Sequence, residues 1–221
     1  MEKIPSTPDP LCLSRPAGTD VVGSDWRQHL PVLAGTRAVL RELRASDAPS
    51  LLAALTPEEV SRFISPPPTT AEGFERFIAW THRERTAGAS LSFAVTVAGD
   101  DTAIGVFQMR ETEPGFGTAE WGCVLGPASW GTGVFRNGAE LLIEFGFDVL
   151  GVHRLEARAA VLNDRGNAAL RSTGAVKEGV LRRSFLLNGE YLDQAIYGIV
   201  ADEWRASRGA PQRWPSRERR H

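Results

Sequence analysis

Two glycines stand in the run Trp130-Gly131-Thr132-Gly133-Val134, between a strand-like stretch (residues 119–125) and an amphipathic helix-like stretch (residues 137–150). Glycine lacks a Cβ, so the chain can turn tightly there and a ligand can approach the backbone closely. A helix opening just beyond adds unpaired N–H groups and the positive end of its dipole. The combination makes an anion site suited to phosphate. A Walker-type NTPase needs Lys followed by Ser or Thr after the glycines, whereas Val134 and Phe135 follow here. A dinucleotide-binding fingerprint needs three spaced glycines after a first strand and an acid further on, and that spacing is absent.

Other reactive side chains are sparse. Cys123 has no His and acid beside it in sequence and reads as a small strand residue rather than a nucleophile. The four histidines, His29, His82, His153 and His221, are scattered, so no metal is implied. Glu120 precedes the glycine turn in Ala119-Glu120-Trp121-Gly122, and strand alternation turns it away from Trp121 and Cys123, toward a cleft.

The elements that must position these residues follow from changes of period. Residues 36–43 alternate and predict a strand; Ser46 and Asp47 are N-cap candidates for a helix through Leu55. Pro57, Glu58 and Glu59 suit the first turn of a short helix, and Pro66-Pro67-Pro68 makes a stiff loop. Thr70 begins a helix that Gly88 ends. Three strands follow at residues 91–98, 103–111 and 119–125, with turns at Gly99-Asp100-Asp101 and Gly115-Phe116-Gly117. After the glycine turn and its helix come a strand (154–161), a short helix capped by Asn163, and a hairpin (176–187 and 191–200) closed by Asn188-Gly189. This order predicts an α+β domain, in three layers: a mixed, mostly antiparallel sheet of about seven strands with helices on both faces.

The 221 residues are 42% apolar and 24% charged, with a net charge of −2, which predicts one soluble domain. No apolar run approaches the roughly 20 residues that span a bilayer, which predicts no membrane partner. Residues 1–34 read as a loose leader from which Leu30, Val32 and Leu33 pack on the domain; residues 35–204 form the domain. Residues 205–221 carry six arginines and read as a solvated tail, a nucleic-acid role being the lesser alternative. The leader lacks a secretory pattern, and Cys12 and Cys123 make no disulfide framework, which together predict a cytoplasmic protein.

Three signatures stand in order along the chain: Trp130-Gly131-Thr132-Gly133; Asn163-Asp164-Arg165-Gly166-Asn167 followed by Gly174-Ala175; and Glu178-Gly179-Val180-Leu181-Arg182 with the hairpin Asn188 to Asp193. Together they resemble the GNAT superfamily of acyl-CoA-dependent N-acyltransferases, over about residues 36–204. Within it they look like the branch of the ribosomal-protein serine and alanine N-acetyltransferases. The resemblance implies that the strands at 119–125 and 154–161 splay apart. The pantetheine arm of acetyl-CoA would lie between them and its pyrophosphate on residues 130–135. There are departures. Ala128 stands where the family often has Arg or Gln, Phe135 where many members have a small residue, and Leu170 where a Tyr often protonates the leaving thiolate.

The implied reaction is direct attack of an amine on the thioester. For it the resemblance nominates Glu120 as general base, with Tyr191 and Ser184 as further candidates for acid or substrate contact. Cofactor contacts fall on the Val124 and Leu125 amides as oxyanion donors, on Trp130, Gly131, Thr132, Gly133, Val134 and Phe135, and on Asn163, Asn167 and Arg171. Phe63, Ile64, the proline run, Phe74 and Trp80 would build the substrate side, and Arg62 and Arg85 could meet an acidic group. A protein N-terminus, an amino sugar or polyamine, and an amino-acid-like metabolite all fit as acceptors. A non-catalytic acyl-CoA sensor is the rival, longer acyl groups are a variant, and a homodimer follows the family's habit.

Overall fold

The computed structural model describes residues 25–113 and 115–208. Cys12, most of the predicted leader and residues 209–221 of the predicted tail lie outside them.

Alternating apolar residues build one sheet of eight strands: β1 (Leu33–Ala34), β2 (Ala38–Glu42), β3 (Ser90–Val97), β4 (Asp100–Glu111), β5 (Thr118–Leu125), β6 (Arg154–Ala160), β7 (Val176–Leu187) and β8 (Glu190–Val200). Their order is β1-β2-β3-β4-β5-β6-β8-β7. Every neighbouring pair is antiparallel except β5 and β6. The strand beyond the expected seven is β1, a two-residue piece from the stretch read as leader. Leu30 and Leu33 are buried there, whereas Val32 is 60% exposed.

Among the described residues six α-helices flank the sheet: α1 (Ala48–Leu55), α2 (Glu58–Ser61), α3 (Ala71–Ala87), α4 (Val134–Asp148), α5 (Asp164–Ser172) and α6 (Ala201–Arg208). α1 and α3 bury Leu51, Leu55, Phe74 and Ile78 against Ala94 and Val106 on one face. α4 packs on the other face, where Leu142, Ile143 and Phe145 meet Phe93, Phe107 and Leu155. Gly138 lets α4 approach closely, since a Cβ there would stand 2.7 Å from the Phe107 ring. α6 runs past residue 204, where the tail was expected, because Trp204 is buried against Phe147.

The predicted caps form at Thr70, whose Oγ1 accepts from the Gly73 amide at 3.0 Å, and at Gly88, which is left-handed. Asp47 behaves differently from expectation. Its carboxylate does not cap α1; it accepts from the Arg44 amide and takes a bidentate pair from Arg41 at 2.8 Å. Both side chains of that pair are nearly inaccessible. Two further expectations shift. The β3–β4 turn closes at Ala98-Gly99, because Asp100 already pairs with Val97 and Asp101 is held by Arg41 and Arg44. α4 opens at Val134 rather than 137, because Val134 and Phe135 turn inward to pack.

Removing Asp47 leaves the buried Arg41 guanidinium with the exposed Asp101 as its remaining carboxylate partner, which costs about 2 kcal/mol. Asp47→Ala is therefore expected to lower the free energy of unfolding by that amount, read in urea as a lower midpoint at an unchanged denaturant slope; a loss below about 1 kcal/mol contradicts the assignment of the pair as a structural lock.

Candidate active site

β5 and β6 run side by side only over Thr118↔Arg154, Ala119↔Leu155 and Glu120↔Glu156. Beyond that point a cavity of about 490 Å³ opens between them. It is walled by Trp121 to Leu125 on one side and by Ala157, Arg158 and Ala159 on the other. α5 adds Ala168, Ala169 and Leu170, and Val60, Phe63 and Ile64 form a roof.

Ladder phase decides which backbone groups face this gap. In an antiparallel pair, residues opposite one another alternate between bonded and non-bonded pairs. The Gly126 amide bonds Ile104 and the Thr112 amide bonds Thr118. Even-numbered residues of β5 therefore bond to β4, and the Val124 amide is engaged there. The amides of Cys123 and Leu125 turn into the gap. On β6, bonds from Ala201 to His153 and from Val161 to Asp193 set the odd-numbered residues toward β8. The backbone groups of Arg158 and Ala160 thus face β5 across the gap. Two gap-facing carbonyls are already bonded: Leu125 accepts from Trp130 Nε1, and Ala160 accepts from the Asn163 amide and Asn167 Nδ2.

The glycine turn sits at one end of this cavity. Gly131 and Gly133 have φ of 74° and 86°, the left-handed region that disfavours a side chain. Gly131 is exposed, with nothing within 4 Å of where its Cβ would be. Among the described residues, the amides of Gly131, Thr132 and Gly133 have no acceptor. The first-turn amides of α4 lie beside them, Val134 making only a 3.4 Å contact to Thr132 Oγ1. The turn is held from below: Arg37 donates to the Thr132 carbonyl, and Asn137 Oδ1 accepts from the Arg37 and Ala38 amides. Open amides on a fixed frame suit a diphosphate.

Of the residues nominated from sequence, Val124, Leu125, Trp130, Gly131, Gly133, Phe135 and Asn163 line the cavity. Thr132 and Val134 complete the turn without lining it; Thr132 Oγ1 donates to the Ser129 carbonyl. Phe135, bulky where a small residue was expected, stacks beside Phe107 and Trp121 instead of blocking the turn. Asn163 caps α5, its Oδ1 accepting from the Gly166 amide at 2.9 Å.

Asn167 and Arg171 are placed otherwise. Asn167 is buried; its amide donates to the carbonyls of Ala160 and Asn163 and accepts from the Tyr197 hydroxyl at 2.9 Å. Arg171 donates to that same hydroxyl. Neither lines the cavity. Tyr191 and Ser184 also lie outside it. Tyr191 is 63% exposed opposite Leu186 on the hairpin, and Ser184 donates to the Leu181 carbonyl and Gln194 Oε1. Phe74 is core and Trp80 is exposed. Arg85 is buried against Glu42 and the Arg27 carbonyl.

Glu120 stands at the vertex where the strands part, one residue before the cavity wall. Arg110 holds its Oε2 at 2.8 Å, and its register partner across the vertex is Glu156. Glu156 is held in turn by Arg154 at 2.9 Å. Arg154 also pairs with Glu178, which keeps that carboxyl below the usual range. Cys123 lies in the cavity wall, and burial pushes its thiol well above the ordinary value, so it stays protonated and unreactive. Sequence reasoning passed over Arg136, Arg158 and Arg165, which line the cavity. The alternation of Leu155, Ala157 and Ala159 could have marked Arg158 as facing the opposite side.

A family model described as an acetyltransferase (GNAT) domain matches residues 37–176. The chain is 27% identical to the uncharacterized N-acetyltransferase p20 of Bacillus licheniformis, over 76% of this chain and 95% of that one. It is 28% identical to the spermidine N(1)-acetyltransferase of Vibrio cholerae over 41% of this chain and 52% of that one. Mycobacterium smegmatis RimJ, solved in complex with CoA-disulfide, superposes with a TM-score of 0.69 at 20% identity, covering 78% and 85% of the two chains.

Tyr197→Phe removes a hydroxyl that satisfies the buried Asn167 carbonyl oxygen. Leaving that acceptor unpaired is expected to cost about 1–3 kcal/mol in chemical denaturation; an unchanged stability contradicts the assignment of Asn167 to the fold.

Proposed function

The chain belongs to the GNAT acetyltransferase family, and on that premise we propose that it moves the acetyl group of acetyl-CoA to a primary amine by direct attack of the amine on the thioester. One observation carries this: unpaired strand edges and unpaired turn amides open onto the same cavity. Backbone amides inside a protein need partners. The groups of Cys123, Leu125 and Arg158 fit a chain of amide units lying between two strands, as pantetheine is. The amides of Gly131 to Gly133 and the first turn of α4 fit a diphosphate at its end. A thioester carbonyl placed beside the Cys123 and Leu125 amides would have its developing negative charge stabilised by fixed dipoles.

In the proposed reaction the amine nitrogen bonds to the thioester carbon, the carbon–sulfur bond breaks, the acetyl group ends as an amide and CoA leaves as its thiolate. The amine must arrive neutral, and α-amines titrate near 8 and alkylamines near 10. Glu120, at the vertex and held in place by Arg110, is positioned to take the amine's proton directly or through a water. The departing sulfur needs a proton in return. Leu170 carries none, and Tyr191 and Ser184 lie outside the cavity, so solvent entering over exposed Gly122 is the proposed source.

Gly131→Asp sets a carboxylate against the proposed diphosphate seat in open space. It is expected to weaken CoA binding on the order of 100-fold in calorimetry, about 2.7 kcal/mol; unchanged affinity contradicts the seat. Glu120→Gln is expected to lower kcat by roughly 10²-fold or more near neutral pH. The gap should narrow as the pH rises through the acceptor's own titration, while acetyl-CoA affinity holds. A pH-independent loss removes Glu120 as the base.

A further inference from the structure

Side chains of β4, β5 and β6 that point away from α4 form an open floor around the vertex. Ladder register sets Arg110 beside Glu120, Gln108 beside Gly122, and Glu120 beside Glu156. Two residues further along each strand, Gly122 and Arg158 face each other across the start of the gap, on the same side as the two carboxylates. Both line the cavity. Gly122 is exposed with nothing within 4 Å of where a Cβ would be, so the route to the vertex passes over it.

The charges on this floor are unevenly satisfied. Glu120 is tied to Arg110, Glu156 to Arg154, and Glu178 to Arg154. At the rim, Arg136 pairs with Glu140, Arg165 lies on the Trp130 ring and Arg62 on the Phe63 ring. Arg158 has no carboxylate partner among the described residues. A polycation entering here meets acids that are already matched. Arg158 is exposed, so its guanidinium is free to turn toward an acceptor under Val60, Phe63 and Ile64; an acceptor that covered it without supplying a counter-ion would strip water from an unmatched charge, which is costly. An acceptor that brings its own anion removes that cost, and the planar guanidinium grips a carboxylate through two hydrogen bonds.

Building on the acetyl-transfer reading above, we propose that the acceptor is a small zwitterion of the amino-acid class: its amine sits at Glu120 and its carboxylate is held by Arg158. Arg158 lies one strand across and two residues along from Glu120 on the same face, about 7 Å in the strand direction and about 5 Å or more between strands, a separation that a long glutamate and a longer arginine side chain can reach across. A peptide N-terminus offers an amide where an amino acid offers a carboxylate, and spermidine offers further cations.

The test uses the full chain with acetyl-CoA and acceptors in matched sets: α-amino acids, their carboxamides and their decarboxylated amines, with spermidine and peptides beginning in Ser or Ala alongside. Product mass and thiol release are both read. An amino acid is expected to exceed its own carboxamide in kcat/KM on the order of 30-fold, the scale of a desolvated charge contact. Arg158→Gln should erase that preference by raising the KM for the amino acid while the KM for acetyl-CoA holds, and Arg158→Lys should restore part of it. A thermal melt of each variant separates lost folding from lost recognition. Equal use of amino acids and carboxamides, or preference for spermidine or peptides, overturns the role of Arg158 and leaves acetyl transfer standing. No product from any amine together with no acetyl-CoA binding overturns the acetyl-transfer reading itself.

Discussion

The architecture turns on the point where a parallel ladder stops. β5 and β6 pair through Glu120 and Glu156 and then separate. Each strand stays anchored on its outer side, β5 by β4 and β6 by β8. Their inner edges therefore present main-chain donors and acceptors with no strand to receive them. An unpaired amide in a protein interior is expensive, so such a gap persists only where a ligand or water can enter. Helix α5 lines the open end with Ala168, Ala169 and Leu170, and the Asn167–Tyr197 contact joins it to β8. Trp130 donates to the Leu125 carbonyl and so fastens the glycine turn to the end of β5. The glycine turn and the gap are thereby joined rather than merely neighbouring.

Electrostatics around the vertex follow a consistent plan. Each carboxylate there is restrained by an arginine from the adjacent strand or from its own. Restraint fixes where the Glu120 carboxylate stands, which suits the role of base proposed for it. The thiol of Cys123 is kept inert by burial, so the cavity wall offers no competing nucleophile. The open amides of the turn face the far end, where negative charge would gather.

Much of the fold was legible in sequence, since local chemistry controls it. Thr70 and Gly88 bound their helix, Asn163 caps α5, and Asn188-Gly189 closes the hairpin, because each requirement is met within a few residues. The glycine turn was legible for the same reason. Long-range contacts were not. Leu33–Ala34 is too short to show a period, and its pairing depends on β2. Asn167 was counted among the cofactor contacts, whereas a hydroxyl thirty residues on claims its side chain. Val124 and Leu125 are adjacent and looked equivalent as donors; only the register against β4 distinguishes them. Tyr191 and Ser184 carry suitable chemistry, yet the hairpin holds them outside the cavity. Arg158 was missed because an alternating strand gives every outward charge the same appearance, and its distinction lies in what its neighbours already bind.

If the parted strand edges hold the amide-bearing arm of acetyl-CoA, a co-crystal structure with CoA will show it there. Main-chain hydrogen bonds are expected from the arm to residue 123 or 125 on one side and to Arg158 on the other, with the diphosphate on the amides of residues 131–133. A coenzyme found outside the gap, or one leaving those strand edges unpaired, would rule this arrangement out.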